Sequence, residues 1–451
     1  MESVLKILGR RVPIWHFLAA ILMLALTVSI GYTVERSDFL PLITQYLVLF
    51  VLSWACFQVV QSKNELPFFL SLGIVLRLAL LFAFPMLSDD VYRFFWDGHI
   101  WKAGMNPFAE LPSYYMQEGN EVPGLSREIY DRLNSPNYFT VYPPVSQAIF
   151  ALAAWIAPGH LVGSVLVMKS VLFAFELGNL WLIPRLLQKL KLPARNVLIY
   201  ALNPLVILEI MGNLHFEGVM VFFFLLAFYF LIQEKWWGAA PAWALSVATK
   251  LLPLMFLPFL IRRLSPWRLI GFATAFALVM SFLFLPLLSG GYLPQMGNSV
   301  DLYFRRFEFN GSLYYLVRGI GTWWVGYNPI RTVGPYLAGI TLVGILALSL
   351  LSPARDWKSL PRQLLFAMSI YLLFATTVHP WYTILPLVFC LFTPFRYPVL
   401  WSALIFFTYF HYSRVPFSEN LLIVALEYLI LIGYAVYELI HFQGSGRMVR
   451  S

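Results

Sequence analysis

Ser88-Asp89-Asp90-Val91-Tyr92-Arg93 follows an apolar run, 66–87, and opens the longest polar segment of the chain. That run is about one membrane span long, since a crossing helix needs roughly 20 apolar residues. Two adjacent carboxylates at the end of such a run are hard to justify structurally. They repel each other, and they stand at a lipid boundary where ionised groups are costly. They make sense if one of them must deprotonate or orient a substrate.

The rest of the sequence is of the same kind. Of 451 residues, 60% are apolar, 18% aromatic and only 12% charged, with a mean hydropathy of +0.73. Soluble globular domains do not have this composition. Apolar runs lie near 14–34, 40–60, 66–87, 141–158, 161–184, 196–213, 216–233, 238–260, 269–288, 331–351, 363–378, 382–395, 397–412 and 420–440. They are continuous rather than alternating, which excludes a β-barrel. The reading is an all-α integral membrane protein. Its first run is taken as an uncleaved helix, because no small-residue cleavage site follows it. Cys56 and Cys390 both sit inside apolar runs, so no disulfide framework or cysteine metal site is expected. No fixed-period repeat or long linker divides the chain, and 1–451 reads as a single transmembrane domain.

The net charge of +9 is unevenly placed. Lys6, Arg10, Arg11, Lys63, Arg185, Lys189, Lys191, Arg195, Lys235, Arg262, Arg263, Arg268, Arg355, Lys358, Arg362, Arg396, Arg447 and Arg450 cluster in one set of loops. The positive-inside rule puts those loops, and both termini, in the cytoplasm. The excess is then a topology signal and not a nucleic-acid surface. The opposite face receives 88–140, Gly212 to Gly218, 289–330, Val378 to Trp381 and His411 to Asn420. In 88–140, Asp89, Asp90, Asp97, Glu110, Glu118, Glu121, Glu128 and Asp131 outnumber the four bases Arg93, Lys102, Arg127 and Arg132. Charge alternation requires an odd number of crossings between 140 and 185, so either 141–158 or 161–184 is expected to be partial. The run 238–260 has basic loops on both sides. It reads as a hairpin of half-helices breaking near Lys250-Leu251-Leu252-Pro253, a device that often lines membrane sites. The total comes to about 12–14 crossings.

As a helix, 88–103 puts Asp90, Arg93 and Asp97 on one face. Phe94, Phe95 and Trp101 suggest a short amphipathic helix at the membrane surface. The three polar residues either bind substrate or form an ion network only. Arg77, Lys169 and Glu176 lie deep in apolar runs. Lys169 and Glu176 share a helix face and are read as a structural interaction through neighbours, while Arg77 is a candidate for a lipid phosphate. Glu209, one turn before Gly212, is placed facing the same cavity as the acidic pair.

Asp89-Asp90-x-Tyr92-x3-Trp96-Asp97-Gly98, Gly104-x-Asn106-Pro107-Phe108 and Tyr142-Pro143-Pro144 together resemble the GT-C glycosyltransferases. More narrowly, they are similar to bacterial mannosyltransferases that use polyprenyl-phosphate-mannose. The first mannosyltransferase of eukaryotic GPI-anchor assembly has a related layout. Gly212-Asn213-Leu214-His215-Phe216-Glu217, Ala248-Thr249-Lys250-Leu251-x-Pro253 and Val378-His379-Pro380-Trp381-Tyr382 extend the resemblance over about 66–395. Glu217 departs from the Asp common after the His in relatives. The resemblance implies a polytopic GT-C-type helical bundle with juxtamembrane helices on a large outward catalytic loop, 88–140, and a second outward loop, 289–330. It implies a hexose, mannose first, passed with inversion from a polyprenyl-phosphate sugar to a lipid or glycan hydroxyl on the periplasmic face of a bacterial inner membrane.

The acidic pair would then hold the general base, with Asp89 slightly preferred over Asp90 by position in the motif. Lys250, His379 and the pair Arg305 and Arg306 are candidates for the leaving phosphate. The alternatives are snorkelling for Lys250, an interfacial histidine for His379 and headgroup contacts for the arginines. His215 and Glu217 are expected to contact sugar or acceptor. Trp381 and Tyr382 are either sugar-stacking platforms or members of an interfacial aromatic belt. Asp89, Asp90, His215 and His379 have no tight ligand spacing, so no obligatory metal and no cofactor are expected. Membrane lipids are the remaining partners, and no nucleic acid is expected. The rival class is a lipid-linked sugar flippase or secondary transporter that uses Arg77, Lys169 and Glu176 as coupling charges.

Overall fold

A computed structural model describes residues 4–7, 10–60 and 65–448, with side chains for 13–60 and 65–442. The side chains of Lys6, Arg10, Arg11, Lys63, Arg447 and Arg450, which contribute to the charge count above, lie outside those residues. A two-stranded antiparallel pairing of Val4–Ile7 with Arg10–Pro13 precedes the first helix. From there on, the protein is a polytopic helical membrane protein.

Among the described residues, six helices are long and apolar enough to cross a bilayer: Ile14–Thr33, Phe39–Val59, Leu161–Leu190, Pro266–Leu283, Ile330–Leu351 and Leu421–Phe442. A pair bent by 50°, Ala194–Ala201 with Pro204–Gly212, makes a seventh if it is one span. Leu66–Ala79, Pro144–Ile156, Glu217–Ile232, Leu360–Phe374 and Pro380–Cys390 are apolar but shorter. The lower end of the expected 12–14 is reached only if all of these cross as well. Of the two runs between 140 and 185, Leu161–Leu190 has the full length and Pro144–Ile156 is the short one. One large cluster of buried apolar residues extends from Ala19 to Leu431.

The run that ends at the acidic pair is helical only over Leu66–Ala79; Leu80 to Leu87 is irregular. Non-helical backbone survives at such a place only if its polar groups find partners in the protein. Lys169 supplies them, its Nζ donating to the carbonyls of Leu80 at 2.9 Å and Ala83 at 2.5 Å. Arg77 is fully buried and does not face lipid. Its Nε donates to Glu176 Oε2 at 2.7 Å and its NH1 to the carbonyls of Gly73 and Ala201. Glu176 also accepts from Tyr200 Oη and Asn179 Nδ2. Lys169 and Glu176 therefore serve different partners: Arg77 and Glu176 tie helices together, and Lys169 anchors the irregular stretch.

The helix Asp90–Lys102 is not a surface helix. Every residue from Val91 to Ile100 is buried. It packs closely on Pro144–Ile156, where a Cβ at Gly98 would meet the carbonyl oxygen of Phe150 at 2.3 Å. Arg93, Asp97 and His99 find their partners inside the fold. Asp97 accepts from Arg93 Nε and from Gln147 Nε2, each at 2.8 Å. His99 accepts from the Gly159 N–H at 2.9 Å. The run 238–260 does break at Lys250, between the helix Trp236–Thr249 and the 3-10 helix Leu252–Leu260. Trp243 Nε1 donates to the Pro253 carbonyl at 3.0 Å. Ten residues of straight helix would separate these by about 15 Å, so the chain folds back on itself.

Candidate active site

A cavity of about 970 Å³ lies where the segment 88–143, the break at Lys250 and the helix Ile330–Leu351 meet. Asp89, Asp90, Arg93, His215, Lys250, His379, Trp381 and Tyr382 line it. Asp97 stands behind Arg93, and Glu217 behind Lys250. Arg305 and Arg306 are exposed and off the wall, Arg305 pairing with Asp301 one helical turn away at 2.7 Å. That segment contributes Tyr303, Phe304, Phe307 and Glu308 to the wall instead. A backbone bridge between Phe309 and Thr377 holds it beside His379.

Asp90 is the first residue of its helix and Asp89 its N-cap residue. The partial positive charge of a helix N-terminus favours anions there, which eases the repulsion between the two carboxylates. Their partners differ. Arg36 NH2 lies 2.7 Å from Asp89 Oδ2, and its guanidinium sits 4.4 Å from the Tyr412 ring centroid. Asp90 Oδ1 accepts from Asn134 Nδ2 at 2.7 Å. Asp89 is 43% exposed and Asp90 19%. Arg36 was not foreseen; a lone arginine in Glu35-Arg36-Ser37-Asp38 carries no signal beyond being the one base of a short loop.

Arg93 holds the wall rather than standing free. Besides Asp97, its NH1 donates to the carbonyls of Ser135 at 3.1 Å and Tyr138 at 2.9 Å. Lys250 is in extended backbone, φ −148° and ψ 139°, and its ammonium pairs with Glu217, which is 1% exposed. The same ammonium is 6.0 Å from the centroid of Tyr382.

His215 follows a π-helical turn, Ile207–Gly212, and a residue with left-handed backbone, Leu214 at φ 64°. Its Nε2 is 3.8 Å from Asp90 Oδ2 and its Nδ1 3.0 Å from Glu209 Oε2. Glu209 is therefore behind His215 and not on the cavity wall. Trp381 packs against His215 at 3.7 Å between centroids and stacks on His379 at 4.4 Å. Phe309 covers His379 at 4.8 Å. Burial pushes the His379 imidazole down to about 3, although the Asp90 carboxylate acts the other way. It is neutral near pH 7 and does not supply the cation expected of it. Among the described residues, no three His, Cys, Asp or Glu side chains gather as a group able to hold a metal. The cavity thus joins a carboxylate with no cation on it to an ammonium and to an apolar wall formed by Ala338, Leu342 and Ile345 of a membrane-spanning helix.

The family model described as "Alpha-(1->6)-mannopyranosyltransferase, N-terminal domain" matches residues 19–265. That stretch carries Arg36, Asp89, Asp90, Arg93, Glu209, His215 and Lys250, and it stops short of His379 and Trp381. The chain is 26% identical over 166 residues to alpha-(1->6)-mannopyranosyltransferase B of Corynebacterium glutamicum, covering 35% of this chain and 26% of that protein. It is 25% identical over 197 residues to alpha-(1->6)-mannopyranosyltransferase A of the same organism, covering 42% of this chain and 39% of that protein. The matched stretches span well under two thirds of either relative.

Proposed function

Because the chain belongs to the alpha-(1->6)-mannopyranosyltransferase family, we propose that it is a membrane mannosyltransferase working as one unit over its whole length. The donor is a mannose carried on a polyprenyl phosphate, and the acceptor is a hydroxyl of a lipid or glycan. One observation carries this reading: a single cavity places Asp90 and Lys250 beside the apolar side chains of the helix Ile330–Leu351. A lipid-linked sugar phosphate needs both kinds of surface.

Asp90 is the general base. The motif alone leans to Asp89, but the Asp89 carboxylate is engaged by Arg36, which competes with an acceptor hydroxyl for the same oxygens. Asp90 is more enclosed and carries only the Asn134 bond. Base and substrate held in line exclude water and replace a bimolecular encounter by a positioned one. The hydroxyl oxygen attacks the anomeric carbon as its proton passes to Asp90, and the bond to the phosphate oxygen breaks with inversion. Lys250 has further N–H groups beyond the one on Glu217, and these stabilise the departing phosphate. Arg93 and Asp97 hold the sugar-side wall, with Trp381 and Tyr382 beside it. The charge distribution supports cytoplasmic termini and a cavity opening to the outer face of an inner membrane. The contacts that Arg77, Lys169 and Glu176 make with one another's helices and with backbone carbonyls favour a structural role for them over the coupling charges of a flippase.

The test uses the full chain in nanodiscs with radiolabelled polyprenyl-phosphate-mannose and a membrane lipid and glycan extract. Label moving to an acceptor is the expected result. Label that only crosses the bilayer in proteoliposomes, with the donor intact, overturns the reading.

A further inference from the structure

His215 sits between two carboxylates, and the backbone is irregular in a way that puts it there. Glu209 and His215 are six residues apart, so on a regular α-helix they would point about 120° away from each other. The π-helical turn Ile207–Gly212 and the left-handed φ of Leu214 reorient the chain, and the two side chains meet at 3.0 Å. π-turns and left-handed non-glycine residues recur at functional sites because regular structure does not hold them for nothing. Glu209 is fully buried. Besides His215 it accepts from Tyr409 Oη at 2.8 Å and from Asn213 Nδ2 at 3.1 Å.

The network assigns the tautomer. Glu209 is an acceptor, so His215 Nδ1 carries the proton and donates it to Oε2. The opposite nitrogen, Nε2, then bears a lone pair. It is buried with no hydrogen-bond partner and faces Asp90 Oδ2 at 3.8 Å. Two lone pairs facing each other across that gap attract only when a proton lies between them, and that is the state of Asp90 just after it has acted as a base.

We propose that His215 is a positioning residue that acts through Asp90 by taking over the acceptor proton from it, with Glu209 fixing the imidazole and stabilising it when charged. This rests on the reading of Asp90 as the base. In the transfer step, the acceptor oxygen bonds to the anomeric carbon and the bond to phosphate breaks with its electron pair on the phosphate. The acceptor proton goes to Asp90 and then to His215 Nε2, which restores the Asp90 carboxylate. The imidazolium is held by Asp90 on one nitrogen and Glu209 on the other. The Trp381 ring 3.7 Å away offers its π face to the cation. The proton then leaves through the cavity. Other groups near His215 are the neutral His379, Tyr409, and Lys250 with its partner Glu217. None of them bridges Asp90 to His215.

The test measures kcat and KM against pH for full-length wild type, His215→Gln and Glu209→Gln, each checked for folding by thermal unfolding, with Asp90→Asn beside them. His215→Gln is expected to lower kcat about 10²-fold, the low end for assisted proton transfer, with KM unchanged. Glu209→Gln removes the charge that favours the imidazolium, so the acid limb of its kcat profile moves to lower pH. A role in packing alone would lower kcat without moving that limb, and a sugar contact would raise KM with kcat intact; either result overturns the relay. Full activity in Asp90→Asn would instead overturn the choice of base. Should the wild type transfer no sugar, ¹⁵N-histidine NMR still decides. The signal lost in His215→Gln is expected as the Nδ1–H tautomer. The Nε2–H tautomer, with its proton turned toward Asp90, overturns the proposal.

Discussion

Lys250 lies on the cavity wall while pairing with Glu217, a carboxylate that is 1% exposed. Removing one member of a buried pair strands the other charge at a cost of about 3–5 kcal/mol. Lys250 keeps 18% exposure, so Lys250→Ala is expected to cost about 3 kcal/mol and to lower the thermal midpoint in detergent. Adding Glu217→Gln should recover most of that midpoint without recovering transfer. Recovery of both would show Lys250 to be structural only. His379 gives a second prediction. Its folded value of about 3 lies below the ordinary 6.5. On acidification the unfolded chain binds the proton first, so the stability it contributes is present above pH 6.5 and is lost as pH falls toward 3. His379→Gln should therefore lose less thermal stability than wild type between pH 7 and 4.5. At this scale the sequence showed a good deal. Asp89, Asp90, Arg93, His215, Lys250, His379, Trp381 and Tyr382 come from four separate motifs and line one cavity. Arg305 failed because a partner one turn away on the exposed face, Asp301, claims it. Arg36 was illegible because nothing local marks it.

At the scale of elements, polarity misled where polar groups are satisfied internally. The helix Asp90–Lys102 looked amphipathic and surface-bound, yet Asp97, Arg93 and His99 all find partners inside the fold. Only tertiary contacts decide between the two, and sequence periodicity does not contain them. The break at Lys250 was legible because a Pro follows it and basic loops flank the whole run. The unwound stretch Leu80 to Leu87 was not, because its support, Lys169, is 89 residues from Leu80 and 86 from Ala83 in sequence. The close packing at Gly98 yields a prediction for the element that carries Asp90. A methyl there meets the Phe150 carbonyl at 2.3 Å, so Gly98→Ala should cost about 1–3 kcal/mol and depress transfer by displacing the helix. Gly319→Ala is the control, since nothing lies within 4 Å of its Cβ position. Equal effects of the two would remove the packing argument.

For the whole molecule, the membrane-spanning helices and the segments that connect them divide the work. The buried contacts of Arg77, Glu176 and Lys169 lock the helices beneath the acidic pair. The segments 88–143, 212–217, 299–309 and 377–382 build the polar end of a cavity whose other wall is a crossing helix. Helical membrane class was plain from composition, whereas the number of crossings was not. Apolar runs such as 141–158 and 382–395 give helices too short to be counted by length. Whether this cavity is a transferase site with Asp90 as its base is decided by comparing single-turnover mannose transfer by folded Asp90→Asn and Asp89→Asn at saturating labelled polyprenyl-phosphate-mannose. A loss of at least about 10²-fold is expected for Asp90→Asn and a clearly smaller one for Asp89→Asn. Transfer by Asp90→Asn at the wild-type rate would contradict that assignment.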